Sequence, residues 1–180
     1  FQMKEIIINN NIFKQYISEV EIINIVSDIA NKINASNTKK PLFIAVLNGS
    51  FLFAADIMRK ITIPNVEISF VKLSSYEGMK SSGEIRKLIG INSDISSRNI
   101  IILEDIVDTG NTLEKIIDIL TKKKVGSIKV ATLLFKPEAY KKDIHIDYIG
   151  KSIENDFVIG YGLDYDEIGR NLPHIYKLKN

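Results

Sequence analysis

The sequence contains no cysteine and no tryptophan. Without cysteine there is no disulfide, no thiolate nucleophile and no zinc–thiolate cluster, and the chemistry suits a reducing cytoplasm. Histidine is almost as scarce: His145 and His174 stand alone, without metal-ligand spacing. No run reaches the ~18 apolar residues of a membrane-crossing helix. The start of the chain lacks a basic stretch followed by an apolar one, so no secretory signal is expected. Charge is nearly balanced, 24 Lys and Arg against 22 Asp and Glu. Any affinity for phosphate must therefore come from a local site rather than a global field, and no basic arm or helix-turn-helix suggests nucleic-acid binding. Two common phosphate loops, Gly-x-x-x-x-Gly-Lys-Ser/Thr and Gly-x-Gly-x-x-Gly, are both missing.

What remains is an ordinary globular composition over 180 residues, 45% hydrophobic and 26% charged, enough for one domain. Phe1-Gln2 before Met3 reads as a tag scar, which leaves residues 3–180. Lys4–Asn10, with three consecutive Ile, reads as a strand. Ile22, Ile25, Val26, Ile29 and Ile33 recur at helical spacing behind Ser18, an N-cap with Glu21 three residues on. Leu42–Leu47 is a buried strand ending at Asn48-Gly49. Ser50–Lys60 reads as a helix with Phe51, Ala54, Ala55 and Met58 on one face. Val66–Leu73 alternates as a strand. Asn99–Leu103 and Lys129–Phe135 are buried strands, separated by a helix marked by Leu113, Ile116, Ile117 and Leu120. Asp147–Ile149 and Phe157–Gly160 are shorter strands.

This alternation predicts an α/β fold, a mostly parallel doubly wound sheet flanked by helices. Its core spans about residues 18–150, and residues 3–17 and 150–180 are expected to form a small appended subdomain. Lys122-Lys123-Lys124 reads as a solvated helix end. Tyr140, Tyr148 and Tyr176 read as packing residues.

The segment Glu104 to Thr112 carries the strongest chemical signal. Two carboxylates, Glu104 and Asp105, follow an apolar strand. Asp108-Thr109-Gly110-Asn111-Thr112 then turns into a helix. A helix N-terminus offers unpaired N–H groups and partial positive charge to a phosphate, and Thr109 and Thr112 add hydroxyls. The carboxylates suit sugar hydroxyls and a hard cation. One loop thus pairs a phosphate cradle with a diol and metal site, which fits a ribose 5-phosphate.

The run Ile101-Ile102-Leu103-Glu104-Asp105-Ile106-Val107-Asp108-Thr109-Gly110 resembles the phosphoribosyl pyrophosphate signature of the type I phosphoribosyltransferases, in the hypoxanthine-guanine branch. The similarity runs from about Leu42 to His174. It implies the type I phosphoribosyltransferase fold, with the chain ends forming a hood. It also implies roles for single residues. Glu104 and Asp105 would bind the ribose hydroxyls and Mg2+. Asp108 through Thr112 would hold the 5-phosphate, with Asp108 as general base. Lys136 would donate to the purine 6-oxo group and Phe157 would stack on the base. Val158 and Asp164 would read its edge through their backbones, and the Asp164 carboxylate would help hold a second Mg2+. Leu47-Asn48-Gly49-Ser50 resembles the pyrophosphate loop, which has a non-proline cis peptide. Asn48 stands where relatives often carry Lys, and Gly49 and Arg170 would contact pyrophosphate. Ser75-Tyr76 resembles the mobile lid, within the long polar stretch 74–98.

The activity implied is Mg2+-dependent transfer of 5-phosphoribosyl from phosphoribosyl pyrophosphate to a 6-oxopurine, hypoxanthine or guanine. The resemblance also implies a homodimer or homotetramer, while a cytoplasmic location and the lack of a membrane or nucleic-acid partner are expected from the composition. Two other readings stay open at this point: a regulatory nucleotide-binding protein on the same scaffold, and transfer to xanthine or a pyrimidine.

Overall fold

A computed structural model describes residues 5–73, 87–89, 91 and 93–179. Ser75 and Tyr76, expected as a lid, and Phe1-Gln2, expected as a tag scar, lie outside the described residues.

The chain begins with two antiparallel strands, β1 (Glu5–Ile8) and β2 (Asn11–Ile17). The strand expected over Lys4–Asn10 is thus present but ends at Ile8, and β2 was not expected. Asn9 and Asn10 both take positive φ, 48° and 62°, which asparagine tolerates and a two-residue hairpin turn requires.

Helix α1 (Glu19–Asn34) follows. Ser18 caps it as expected, its hydroxyl accepting a hydrogen bond from the Glu21 N–H at 3.2 Å. Ile22, Val26, Ile29, Ala30 and Ile33 form its buried stripe. Strand β3 (Leu42–Val46) is buried at every residue. In α2 (Phe51–Lys60) the buried face is Phe53, Ala54 and Ile57. Phe51 and Ala55 are exposed, which corrects the expected face. The stripe is set by packing of α2 against α1 and the sheet, and Phe51 sits at the helix start.

Next come β4 (Glu67–Leu73), β5 (Lys87–Ile89) and β6 (Asn99–Val107), then α3 (Asn111–Lys122) and β7 (Ser127–Phe135). The chain ends with β8 (Tyr148–Ser152), β9 (Val158–Ile159) and β10 (Ile175–Leu178). Strand β6 runs four residues past the expected Leu103. Ile106 and Val107 still pair with Leu134 and Phe135 of β7, so the ladder continues although the side chains have become polar.

Among the described residues the main sheet has the order β5-β4-β3-β6-β7-β8. All neighbours are parallel except β5, which is antiparallel to β4. Phe43, Ala45, Ile101 and Leu103 face α1 and α2, while Ile44, Ile100, Ile102 and Val130 face α3. Helices on both faces explain why these strands read as unbroken apolar runs. A second, antiparallel sheet joins the chain ends in the order β1-β2-β10-β9. Among the described residues no helix is long and apolar enough to cross a membrane.

Candidate active site

From β3 the chain steps to β4 on one side, then crosses to β6 on the other. The strand order therefore reverses between β3 and β6, the place where open α/β sheets bind ligands at the carboxyl ends of their strands. A cleft of about 380 Å³ opens there. Its walls are the end of β3 with Leu47 and Gly49, the end of β6 from Glu104, and the start of α3. The segment Glu104–Thr112, singled out in the sequence, lines it without interruption.

The phosphate end is built from Gly110 and α3. Gly110 sits in the left-handed region, φ 84°, as the N-cap residue and has no side chain to cap the helix, while the Thr109 hydroxyl accepts from the Asn111 N–H at 3.4 Å. The amides of the first turn of α3 thus face the cleft as a cradle for an anion. Tyr140 and Lys142 press on Gly110 from outside. A Cβ there would lie 2.6 Å from Tyr140 Cε2 and 2.8 Å from Lys142 Cγ. Tyr140 is fixed by its hydroxyl donating to the Ile144 carbonyl, 2.7 Å, and by an edge contact with Phe135. Lys142 Nζ pairs with Glu114 of α3 at 2.7 Å. Tyr140 therefore shapes the phosphate loop as well as packing. Tyr148 and Tyr176 are buried as expected.

At the middle of the cleft, Glu104 is 5% exposed. Burial, and then the neighbouring charge of Asp105, hold its carboxyl well above the usual range. Burial likewise pushes Asp105 up to about 6, against backbone hydrogen bonds and Arg170 that lower it. The Asp105 carboxylate lies against Gly49, where a Cβ would overlap its Oδ2. The Leu47–Asn48 peptide is cis, as the resemblance implied. Gly162, at φ 100°, lies in turn against the Gly49 carbonyl oxygen. Two glycines thus let Asp105, the 47–50 loop and the 160–172 segment meet, because any side chain would hold them apart.

Asp108 and Lys136 leave the adjacent strands β6 and β7. The Lys136 N–H donates to the Val107 carbonyl at 3.0 Å, and Lys136 Nζ reaches Asp108 Oδ2 at 3.0 Å. The lysine is buried and the aspartate half-exposed. A carboxylate and an ammonium thus stand paired at the cleft edge.

The remaining expected residues lie on the second sheet and the segment behind it. Val158 is buried. Phe157 keeps 46% of its surface exposed, with its ring against Phe13 and Tyr165. Neither lines the cleft itself. Both oxygens of Asp164 are engaged, Oδ1 by Arg170 at 2.9 Å and Oδ2 by the Glu167 N–H at 2.8 Å. Lys115, which sequence reasoning passed over, also lines the cleft. Its one legible signal is a position one helical turn after Asn111. His174 accepts from the Glu19 N–H at 2.9 Å, a cap on α1 rather than a ligand.

No three His, Asp or Glu side chains converge into a metal cage among the described residues. Glu104 and Asp105 offer hard oxygens beside a phosphate cradle. That donor set fits Mg2+, which takes one or two carboxylates and completes its shell with phosphate oxygens and water.

Comparison with known proteins agrees with this geometry. The phosphoribosyl transferase domain family matches residues 14–166. A hypoxanthine-guanine phosphoribosyltransferase of Staphylococcus epidermidis is 41% identical over 165 residues, 91% of this chain and 92% of that protein. The Staphylococcus aureus protein of the same name is 38% identical over 173 residues, 95% and 96% of the two chains. The crystal structure of a Bacillus anthracis hypoxanthine-guanine phosphoribosyltransferase superposes with a TM-score of 0.84 at 38% identity, covering 92% of this chain and 98% of that one. With the signature loop at the strand-order reversal and relatives matched nearly end to end, the chain belongs to the phosphoribosyl transferase domain family, among the hypoxanthine-guanine phosphoribosyltransferases.

Proposed function

We propose that the protein transfers a 5-phosphoribosyl group from phosphoribosyl pyrophosphate to hypoxanthine or guanine, releasing pyrophosphate. The observation that carries this reading is the Asp108–Lys136 pair at 3.0 Å beside the α3 phosphate cradle. The purine presents one edge to both side chains. Lys136 turns its ammonium to the 6-oxo oxygen, and Asp108 takes the proton of one imidazole nitrogen. The other imidazole nitrogen attacks the anomeric carbon, whose bond to pyrophosphate breaks through an oxocarbenium-like state.

Asn111, Thr112 and Thr109 hold the 5-phosphate with the helix amides, while Asp105 and Glu104 take the ribose hydroxyls. The same carboxylates would hold Mg2+, whose chemistry there is neutralising charge on the diphosphate. The lone pairs left on Asp164 would take a second ion. Asn48, Gly49 and Arg170 form the diphosphate subsite. Phe157 stacks on the base, a role its exposure supports, and the Val158 and Asp164 backbones read the ring edge. We read residues 3–180 as one domain with a hood from both chain ends, acting in the cytoplasm as a homodimer or homotetramer. Phe51, Ile68 and Phe70, 40%, 36% and 39% exposed, support self-association.

The test is one assay of the purified protein with phosphoribosyl pyrophosphate, Mg2+ and, in turn, hypoxanthine, guanine, xanthine, adenine and uracil. Nucleotide formation with hypoxanthine or guanine is expected. Formation with adenine or uracil alone overturns the base pocket, and none with any base favours a binding protein without turnover.

A pH dependence follows from Asp105. Its carboxyl rises from 3.8 to about 6 on folding. A raised acid contributes stability that is complete below its unfolded value and is lost as pH rises through about 6. Binding of a cation favours the ionised form and expels the proton. Affinity for the Mg2+–substrate complex should therefore rise roughly tenfold per pH unit up to about 6. Titration calorimetry in two buffers of different ionisation heat measures the released proton. A buffer-independent heat below this range contradicts the assignment.

A further inference from the structure

Arg170 is more committed than a free phosphate-binding arginine. Its Nε and Nη2 both reach Glu167 Oε2, at 3.3 and 2.9 Å. Nη2 also meets Asp164 Oδ1 at 2.9 Å, and Nη1 donates to the Gly162 carbonyl at 2.9 Å. A guanidinium has five N–H groups. Three donate in hydrogen bonds among the described residues, and Nη2 is ion-paired with Asp164 besides. The edge that would fork onto a phosphate is occupied by Glu167.

Glu167 is itself held in place although its side chain is 74% exposed. It lies in a tight turn closed by two bonds between Tyr165 and Ile168, at 2.9 and 3.1 Å. Asp166 and Glu167 take φ of 51° and 67°, the pattern of a turn that asparagine and glycine usually fill. The Asp164 side chain accepts the Glu167 N–H. Arg170, by hydrogen bond and charge, and after it Lys72 and the Asn48 side chain keep the Glu167 carboxyl below its usual range. Arg170 also joins Gly162 through the Gly162 N–H, 2.9 Å to the Arg170 carbonyl, and Gly162 rests on Gly49.

We propose that Glu167 is a positioning residue for the diphosphate subsite, fixing Arg170 and the Asn48 side chain in one network before the ligand arrives. This rests on reading Asn48, Gly49 and Arg170 as that subsite. Glu167 touches no substrate. It holds the two sides of the subsite at a set separation, so that less ordering entropy is lost on binding.

The test compares wild type, Glu167→Ala, Glu167→Gln, Asn48→Ala and the Asn48→Ala/Glu167→Ala double variant. Two readouts serve: calorimetric titration with inorganic pyrophosphate and Mg2+, and steady-state kinetics. Glu167→Ala should weaken pyrophosphate binding and raise the KM for phosphoribosyl pyrophosphate roughly tenfold, the scale of one hydrogen bond to a charged group. Its kcat, its KM for the purine and its melting temperature should stay near wild type, since the side chain is exposed. Glu167→Gln, whose amide oxygen still accepts, should recover part of the loss. The double variant should lose less than the sum of the single ones, as coupled residues do. Unchanged pyrophosphate affinity in Glu167→Ala, or an additive double variant, overturns the proposal. Tighter binding also overturns it and makes Glu167 a competitor for Arg170. Pyrophosphate titration needs no turnover, so it stands apart from the assay of bases. A wild-type chain that binds no pyrophosphate loses the subsite and the proposal together.

Discussion

Asp108→Asn should lower kcat by about 10²- to 10⁴-fold, the range a positioned general base supplies, while phosphoribosyl pyrophosphate binds nearly as before. The amide keeps the shape of the carboxylate, and its oxygen can still accept from Lys136 Nζ, which stands at 3.0 Å in the native pair. What it loses is the capacity to take a proton from the purine. The charge of Lys136 is left without an opposite. Asp108 is 45% exposed but Lys136 only 9%, so a lowered melting temperature is expected beside the loss of turnover. Turnover by stopped assay and substrate affinity by calorimetry, on the same preparation, separate the two effects. Turnover near wild type would remove Asp108 from the chemistry. A parallel loss of substrate affinity would make it a binding residue.

Gly49→Ala should disable the site for a steric reason. The new Cβ overlaps Asp105 Oδ2, so either the carboxylate swings away or the 47–50 loop retreats. Retreat is hindered because Gly162 already lies against the Gly49 carbonyl. Overpacking of this kind costs about 1–3 kcal/mol, and displacement of reacting groups by about 1 Å costs on the order of 100-fold in rate. A lowered melting temperature with kcat/KM for phosphoribosyl pyrophosphate reduced at least to that extent is expected. Adding Asp105→Ala should restore the melting temperature without restoring activity, because it removes the clash together with a ligand-binding carboxylate. Wild-type activity in Gly49→Ala would show that Asp105 has room the structure denies it.

The parts of the fold that were legible in the sequence are those governed by near neighbours. Ser18 caps α1 because its hydroxyl needs only the N–H three residues on. The all-apolar β3 and the apolar start of β6 announced strands covered on both faces. The strand-to-helix turn at Asp108–Thr112 was legible because its glycine and helix-capping residues follow an apolar strand and precede a helical stripe. The end of β6 was misread, since polarity at Glu104 suggested the strand had stopped while pairing with β7 carried it to Val107. The buried face of α2 was misread because a short helix offers several apolar stripes, and only its neighbours select Phe53, Ala54 and Ile57.

The site divides in the same way. The sequence determined which chemical groups are present: a carboxylate pair, a phosphate cradle, an acid and a lysine at strand ends, and no thiol. Tertiary structure decided which of them meet. Parallel register of β6 and β7 brings Asp108 to Lys136 across 28 residues. The reversal of strand order sets Gly49 under Asp105, and the return of the chain toward β10 sets Gly162 on Gly49. The same return commits Arg170 to Glu167, Asp164 and Gly162, at the position where the resemblance implied a contact with pyrophosphate. The physical reason is range. Caps, turns and hydrophobic periods depend on atoms a few residues apart, whereas hydrogen bonds and steric contacts between distant segments act over about 3–4 Å and exist only once the sheet has fixed where each strand ends.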